Sequence, residues 1–150
     1  MSLRDLALKA KGGLRGRKGR ILTVKEIKRI RKRGYHAERE LVRKLRALGF
    51  QSVRVPVSSP SKEPLPDVFA VRGKSLLAFE VKALNAERVY FKKDQVDKLF
   101  RFLEMFDAYE DRFAILAGKF PYRWVFKQVY EVADYVIKCD DRSNIRLDRI

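Results

Sequence analysis

Apolar residues recur at helical spacing in two stretches of the chain. Before the first stretch, Thr23 and Glu26 form a capping-box pattern that predicts a short basic helix ending near Arg33, where we expect Gly34 to interrupt it. A longer amphipathic helix then follows, and Gly49 suits its end. The second stretch predicts a helix over residues 92–106. The apolar positions of the two stretches are Ala37, Leu41, Val42, Leu45 and Leu48, then Val96, Leu99, Phe100, Leu103 and Phe106.

Shorter apolar runs between and after these helices are typical of strands. Gly73-Lys74 lies between two of them and predicts a hairpin turn. The segment 57–66 is rich in Ser and Pro and predicts a loop. The fold class indicated is α/β, with a central mixed β-sheet flanked by helices in a single domain. The predicted strands cover residues 52–55, 67–71, 75–83, 113–117, 122–126 and 135–138, and a helical turn is predicted at 129–133.

The first 30 residues differ in composition from the rest of the chain. Their glycines and cations predict a basic arm, partly flexible or forming a short helix, ahead of one domain over residues 31–150. No run of 18 or more apolar residues occurs, so no membrane span is expected. The N-terminus lacks an apolar signal segment, which favours a cytoplasmic, nucleoid-associated protein.

The net charge of the chain is the strongest indication of what it binds. Thirty-five Lys and Arg oppose 19 Asp and Glu, for a net charge of +16. Such an excess favours a polyanionic partner, most commonly nucleic acid, although a solvated basic surface is the plainer alternative. With one cysteine and one histidine, the chain lacks the parts of a disulfide framework, a Cys-rich zinc site or a Ser-His-Asp triad.

Candidate chemistry lies at the ends of two neighbouring predicted strands. Pro66-Asp67 opens one strand, and Glu80-Val81-Lys82 lies near the end of the next. Glu80 and Lys82 project to the same side because alternate strand residues share a face. Two carboxylates suit Mg²⁺, with Mn²⁺ as a possible substitute, and the lysine could position or deprotonate a nucleophile. This pattern predicts metal-dependent phosphodiester hydrolysis.

Two questions remain open at this point: whether the strand pattern is functional, and which residue supplies a third acid. Glu26-Ile27-Lys28 repeats the Glu-x-Lys spacing by chance, so the strand pattern could equally be surface charges at strand ends. A third acid could come from the helix, but position alone does not choose Glu38 over Glu40.

A resemblance narrows these alternatives. The stretch 33–41, Arg-Gly-Tyr-His-Ala-Glu-Arg-Glu-Leu, resembles the N-terminal motif of the archaeal Holliday junction resolvases. The likeness continues in order through further short motifs and covers about 90 of the 150 residues, fading after Trp124. These motifs are Gly49-Phe50, Val53-Arg54, Ser58-Ser59, Pro66-Asp67, Glu80-Val81-Lys82 and the stretch from Tyr90 to Gln95.

The resemblance implies a restriction-endonuclease-like fold acting as a homodimer. It implies that Glu38, Asp67 and Glu80 are the acidic metal site, with the Val81 carbonyl as a further ligand, and that Lys82 is the catalytic lysine. It places Arg39 and Arg54 near the DNA backbone and Ser59 in a loop close to the active site. The remaining predicted DNA-binding residues are Arg33, Lys62, Lys92 and Lys93.

The function expected is a structure-specific endodeoxyribonuclease that resolves four-way (Holliday) DNA junctions by metal-dependent, symmetric nicking of opposed strands. Two alternatives are another nuclease of the same superfamily, acting on flaps, ends or foreign DNA, and a non-catalytic DNA-binding protein with the same fold.

Overall fold

A computed structural model describes residues 19–56 and 62–150. Helix α1 spans Val24–Ala47 without a break, so the expected interruption at Gly34 is wrong. A mid-helix glycine costs only about 1 kcal/mol, which the rest of a 24-residue helix can offset. The predicted capping box is confirmed: the Thr23 side chain accepts from the Glu26 N–H, and the Glu26 carboxylate accepts from the Thr23 N–H. Gly49, at φ +91°, follows the helix as predicted.

The central sheet has five strands in the order β1-β2-β3-β5-β6. Strands β3 and β5 run parallel and the other neighbours are antiparallel, so the sheet is mixed as expected. The hairpin between β2 and β3 turns at Gly73, whose φ of +57° explains the glycine. The strands are β1 (Gln51–Arg54), β2 (Val68–Arg72), β3 (Ser75–Ala83), β5 (Asp111–Phe120) and β6 (Arg123–Val129).

A second, two-stranded sheet pairs β4 (Arg88–Phe91) with β7 (Tyr135–Lys138). The sequence predicted β7 but not β4, because four residues that alternate between exposed and buried give a weak signal before their distant partner is known. The helical turn predicted at 129–133 is wrong. Val129 instead ends β6, where it pairs with Ala114 of β5.

Helices cover both faces of the central sheet. The apolar side of α1 packs on one face, against alternate residues of β3 such as Leu77 and Phe79. Helix α2 (Lys93–Glu104) and the second sheet pack on the other face, against Leu76 and Ala78. The chain ends in a short 3₁₀ helix, Leu147–Arg149. In the described part of the chain, neither helix combines the length and apolarity needed to cross a bilayer.

The second sheet approaches β5 closely at Gly118. A Cβ at this position would lie 3.2–3.3 Å from side-chain atoms of Phe120, Val89 and Ile137. Gly118 is also the register partner of Lys82 on β3. The absence of a side chain at Gly118 therefore lets the second sheet lie directly beside the predicted catalytic lysine.

Most of the predicted basic arm lies outside the described residues, since residues 1–18 are not described. Helix α1 runs through residues 30 and 31 without a break. The division itself stays a prediction.

Candidate active site

Asp67 is fixed by three hydrogen bonds just before β2 begins. Its N–H donates to the Phe79 carbonyl at 2.9 Å, and its carbonyl accepts from the Val55 N–H at 2.9 Å. Its carboxylate Oδ2 accepts from the Val81 N–H at 2.8 Å. These bonds hold the carboxylate beside the end of β3, as the predicted hairpin requires.

Glu80 and Lys82 lie on the same side of β3, the side facing α2 and the second sheet. Both side chains are half-buried. The Lys82 ammonium lies 5.6 Å from the centre of the Phe91 ring on β4, which gives it a weak cation–π contact. The missed strand β4 therefore supplies a neighbour of the lysine that its local sequence did not reveal.

Glu38 joins this corner from the buried side of α1. Only 8% of the residue is exposed. The Arg54 Nε donates to its Oε2 at 2.5 Å, and the Arg54 guanidinium in turn lies over the Tyr35 ring at 4.5 Å. Arg54 thus links the helix acid to β1, a contact made possible by two residues on α1 spaced three apart.

The two helix acids lie on different flanks of α1. Glu40 points to the other flank of α1, where its carboxylate accepts from the Trp124 indole at 2.9 Å and pairs with Lys119 at 3.2 Å. Glu38, in contrast, lies near enough to Asp67 for the two charges to interact. We call Glu38, Asp67 and Glu80 the acidic corner.

Burial raises the pKa of every member of the acidic corner, and the negative charge of Asp67 adds to this effect for Glu38 and Glu80. For Glu38 and Asp67, burial is the main cause. Burial also raises the pKa of Glu80 well above its usual range, and the Asp67 charge adds to it. Burial lowers the pKa of Lys82, against the opposing effect of Glu80. A divalent cation bound between these carboxylates would stabilise their ionised forms, which burial and neighbouring negative charge disfavour.

The carboxylates of the acidic corner do not form a finished metal cage. Within residues 19–56 and 62–150, no three Asp, Glu, His or Cys side chains converge closely enough to hold an ion. The reason is visible in two bonds: Glu38 is turned to Arg54, and Asp67 to the Val81 N–H. The oxygen donors fit Mg²⁺ chemically, and Glu38 would exchange its Arg54 contact for a role in that set.

Sequence reasoning missed one cation near the corner. Lys98, half-buried on α2, lowers the pKa of both Asp67 and Glu80 through its charge. No spacing rule marks it, since its proximity depends on how α2 packs over β3.

The predicted DNA-binding residues are distributed around this corner. Arg33 and Arg39 are exposed on α1, and Lys62 is exposed where the described chain resumes. Lys92 and Lys93 are exposed at the start of α2, and the Lys92 charge reaches Lys82. Ser59 lies outside the described residues. Among the predicted DNA-binding residues that the structure describes, Arg54 alone contacts the acidic corner directly.

Comparison with known proteins covers most of the chain. The model of the family described as archaeal Holliday junction resolvase (Hjc) matches residues 29–148. The crossover junction endodeoxyribonuclease Hje of Sulfolobus acidocaldarius is 44% identical over 110 residues, covering 72% of this chain and 78% of that protein. The Hje of Saccharolobus islandicus is 40% identical over 114 residues, covering 75% of this chain and 83% of that protein.

Solved structures agree with these relatives. The structure of Archaeoglobus fulgidus Hjc, a Holliday junction resolvase from an archaeal hyperthermophile, superposes with a TM-score of 0.60 at 30% sequence identity. The match covers 71% of this chain and 88% of that one. The chain belongs to the archaeal Holliday junction resolvase family. Both the predicted family and the predicted α/β fold class are therefore confirmed.

Proposed function

We propose that this chain resolves four-way DNA junctions by hydrolysing one phosphodiester bond in each of two opposed strands, with Mg²⁺ as its cofactor. The observation that carries the proposal is the convergence of Asp67, Glu80 and Lys82 at one end of β3, in a chain of this family. Mn²⁺ is expected to substitute, because it accepts the same oxygen donors.

Each residue of the site has a role that follows from its chemistry. Asp67, Glu80 and the Val81 carbonyl would hold the cation, with Glu38 completing the set. When bound, Mg²⁺ would polarise the scissile phosphate and lower the pKa of a coordinated water. The Val81 N–H already fixes one oxygen of Asp67, so the other remains available.

Lys82 contributes through its lowered pKa. Burial makes the ammonium easier to deprotonate than a surface lysine. The charged form would neutralise the phosphate in the transition state, and the neutral form could accept a proton from water. Both roles need the lysine on the same side of β3 as Glu80.

Substrate binding would use the exposed cations around the corner. Phosphate contacts of this kind carry little base specificity, so recognition would depend on DNA shape and fall steeply with salt. We further propose a homodimer, because two symmetric nicks in a two-fold junction call for two related active sites. A protein with this substrate would be found with the cytoplasmic DNA.

The proposal is tested by a strand-resolved cleavage map on an immobile four-way junction. Paired nicks in two opposed strands, present with Mg²⁺ or Mn²⁺ and absent with EDTA, are expected. Equal cutting of linear duplex would favour a general nuclease, and binding without metal-dependent cutting would favour a non-catalytic DNA-binding protein. Light scattering should give twice the chain mass of 17.6 kDa.

A further inference from the structure

A groove of about 780 Å³ opens between α1 and the turn that joins β5 to β6. The buried residues Ala37, Ala83 and Phe120 line it. Leu84, after β3, and Pro121, in the turn, line it as well. We call this space the edge groove. A groove of this size with largely apolar walls is typical of a site for an organic ligand rather than for a bare ion.

The edge groove has a cationic rim. Arg29, Lys32 and Arg33 of α1 line it and are exposed. Lys119 of β5 also lines it and pairs with Glu40 at 3.2 Å, the one acid among the described residues around the groove. Apolar walls beside several cations suit a ligand that joins an apolar ring to a phosphate, as a nucleotide does.

The edge groove begins where the strand that carries Glu80 and Lys82 ends. Ala83 directly follows Lys82, and the parallel register of β3 and β5 places Lys82 opposite Gly118. Tyr122 comes four residues after Gly118. At about 3.3 Å per residue and about 4.8 Å between strands, the backbone of Tyr122 lies within about 18 Å of that of Lys82. A DNA strand that lies in the acidic corner can therefore continue into the edge groove.

Tyr122 lies at the tip of the β5–β6 turn, on the edge groove, and 99% of the residue is exposed. The preceding residue is Pro121, whose ring restricts the backbone of the turn. Because the Tyr122 ring is not packed against the protein, its faces are open to a ligand. Every nucleobase has a flat face that can stack on such a ring.

We propose that the edge groove binds an unpaired nucleotide beside the scissile phosphate, with its base stacked on Tyr122 and its phosphate held by the cations of α1. This inference rests on the proposed function and gives the β5–β6 turn a role in selecting branched DNA. Withdrawing a base from a duplex costs free energy, and the cost is smallest where the base is mismatched or already unpaired. The base stack is interrupted at a branch point, so a nucleotide there reaches the groove more easily than one within a linear duplex.

Two other occupants fit the edge groove less well. A duplex would bring phosphates to the cationic rim, but its paired bases are stacked on one another and cannot stack on Tyr122. A second copy of this chain carries the same net charge of +16, which opposes its approach to a cationic rim.

Three variants of the 150-residue chain test the proposal. Tyr122→Ala removes the ring, and Tyr122→Phe keeps the ring but removes the hydroxyl. Tyr130→Ala is the matched control, because Tyr130 is 78% exposed and lies at the other end of β6. Eight residues separate the two tyrosines, or about 26 Å along the strand. Circular dichroism checks the fold of each variant.

Dissociation constants would be measured by fluorescence anisotropy in EDTA on three DNAs. These are a four-way junction, the same junction with a mismatch in place of one base pair at the branch point, and a linear duplex. The wild type should bind the mismatched junction more tightly than the paired one, because less unpairing is needed. Tyr122→Ala should weaken binding to both junctions by about 5- to 100-fold, the range for one lost base–aromatic stack, and leave duplex binding unchanged. Tyr122→Phe and Tyr130→Ala should match the wild type.

Three results would overturn the inference. An equal loss of affinity for the linear duplex would indicate that Tyr122 contacts paired DNA. An equal loss in Tyr122→Phe would indicate a hydrogen bond from the hydroxyl rather than stacking of the ring. A smaller particle for Tyr122→Ala in light scattering would assign the groove to contact with a second copy of the chain.

The outcome is separable from the proposed function, because binding is measured without divalent ions. If all variants bound as expected but the wild type left the junction uncut with Mg²⁺, the nuclease proposal would fail while the binding inference stood. If the wild type cut the junction and Tyr122→Ala bound it normally, the inference alone would fail.

Discussion

The acidic corner and the basic end of α1, Val24–Arg33, use charge in opposite ways. The corner holds three acids that are at least half-buried and have raised pKa values, and two of them, Glu38 and Asp67, are held by hydrogen bonds. The basic end holds six exposed cations without carboxylate partners in the described chain. Buried charges lower the stability of the folded chain and are placed accurately. Exposed charges cost little and are individually replaceable. Hydrolysis therefore depends on a few residues, and binding on many.

The largest expected effect is on cleavage, at the corner. Asp67→Asn keeps the size of the side chain but removes the negative charge, so junction cleavage should fall by about 10³-fold, or about 4 kcal/mol of transition-state stabilisation. Single-turnover rates measure this loss, and junction affinity in EDTA should change by less than about twofold. Asp140→Asn, at an exposed acid, is the control and should cut normally. Cleavage by Asp67→Asn at near wild-type rates would remove the corner from the mechanism.

The next effect compares the basic end of α1 with the rest of the helix, residues 34–47, by the loss of folding free energy when one apolar side chain is shortened in each. Leu41 is fully buried, whereas Ile30 is 39% exposed. Leu41→Ala should lower the free energy of unfolding by about 2–5 kcal/mol, and Ile30→Ala by less than about 1 kcal/mol. Urea denaturation followed by circular dichroism measures both. Similar losses would mean that the basic end is packed as tightly as the rest of the helix.

A smaller effect is the pH dependence of stability that arises from Glu80. Because its folded pKa is raised, the folded chain holds this proton to higher pH than the unfolded chain does, and stability falls as pH rises through that window. Glu80→Gln should therefore melt about 2–4 °C above wild type at pH 8 and level with it near pH 4. Differential scanning calorimetry without divalent ions checks this. Adding Mg²⁺ should raise the wild-type Tm and leave the variant nearly unchanged.

The smallest effect lies at the boundary between the two halves of α1. A Cβ added at Gly34 meets no atom within 4 Å, and the residue is helical. Gly34→Ala should stabilise the chain by about 0.5–1 kcal/mol by reducing the freedom of the unfolded state. A junction affinity that falls despite this gain would show that the helix bends there when DNA binds.

Local patterns were sufficient to predict much of the fold and part of the site. The apolar runs of β2 and β3 and the turn at Gly73 placed Asp67 opposite Glu80, because hairpin register follows from the turn. The helical period of α1 identified its buried side. These features depend only on neighbours in the chain.

The features that the sequence missed depend on distant contacts. Choosing Glu38 over Glu40 from the residues alone required knowing that Arg54 lies on one flank of α1 and Lys119 on the other. Only the family resemblance indicated it. The break expected at Gly34 gave too much weight to the low helix propensity of one glycine, which the rest of a long helix offsets. Strand β4 could not be predicted because its partner, β7, lies far away in the sequence.

The pairing of β4 with β7 has a consequence for how small this enzyme could be. All four predicted catalytic residues occur by residue 82, yet the ring beside Lys82 belongs to β4, and β4 is hydrogen-bonded to residues 135–138. A chain cut back to the segment that carries the recognisable motifs would keep every reactive group and lose the support under one of them. The minimal folding unit of this nuclease is therefore larger than its minimal chemical signature.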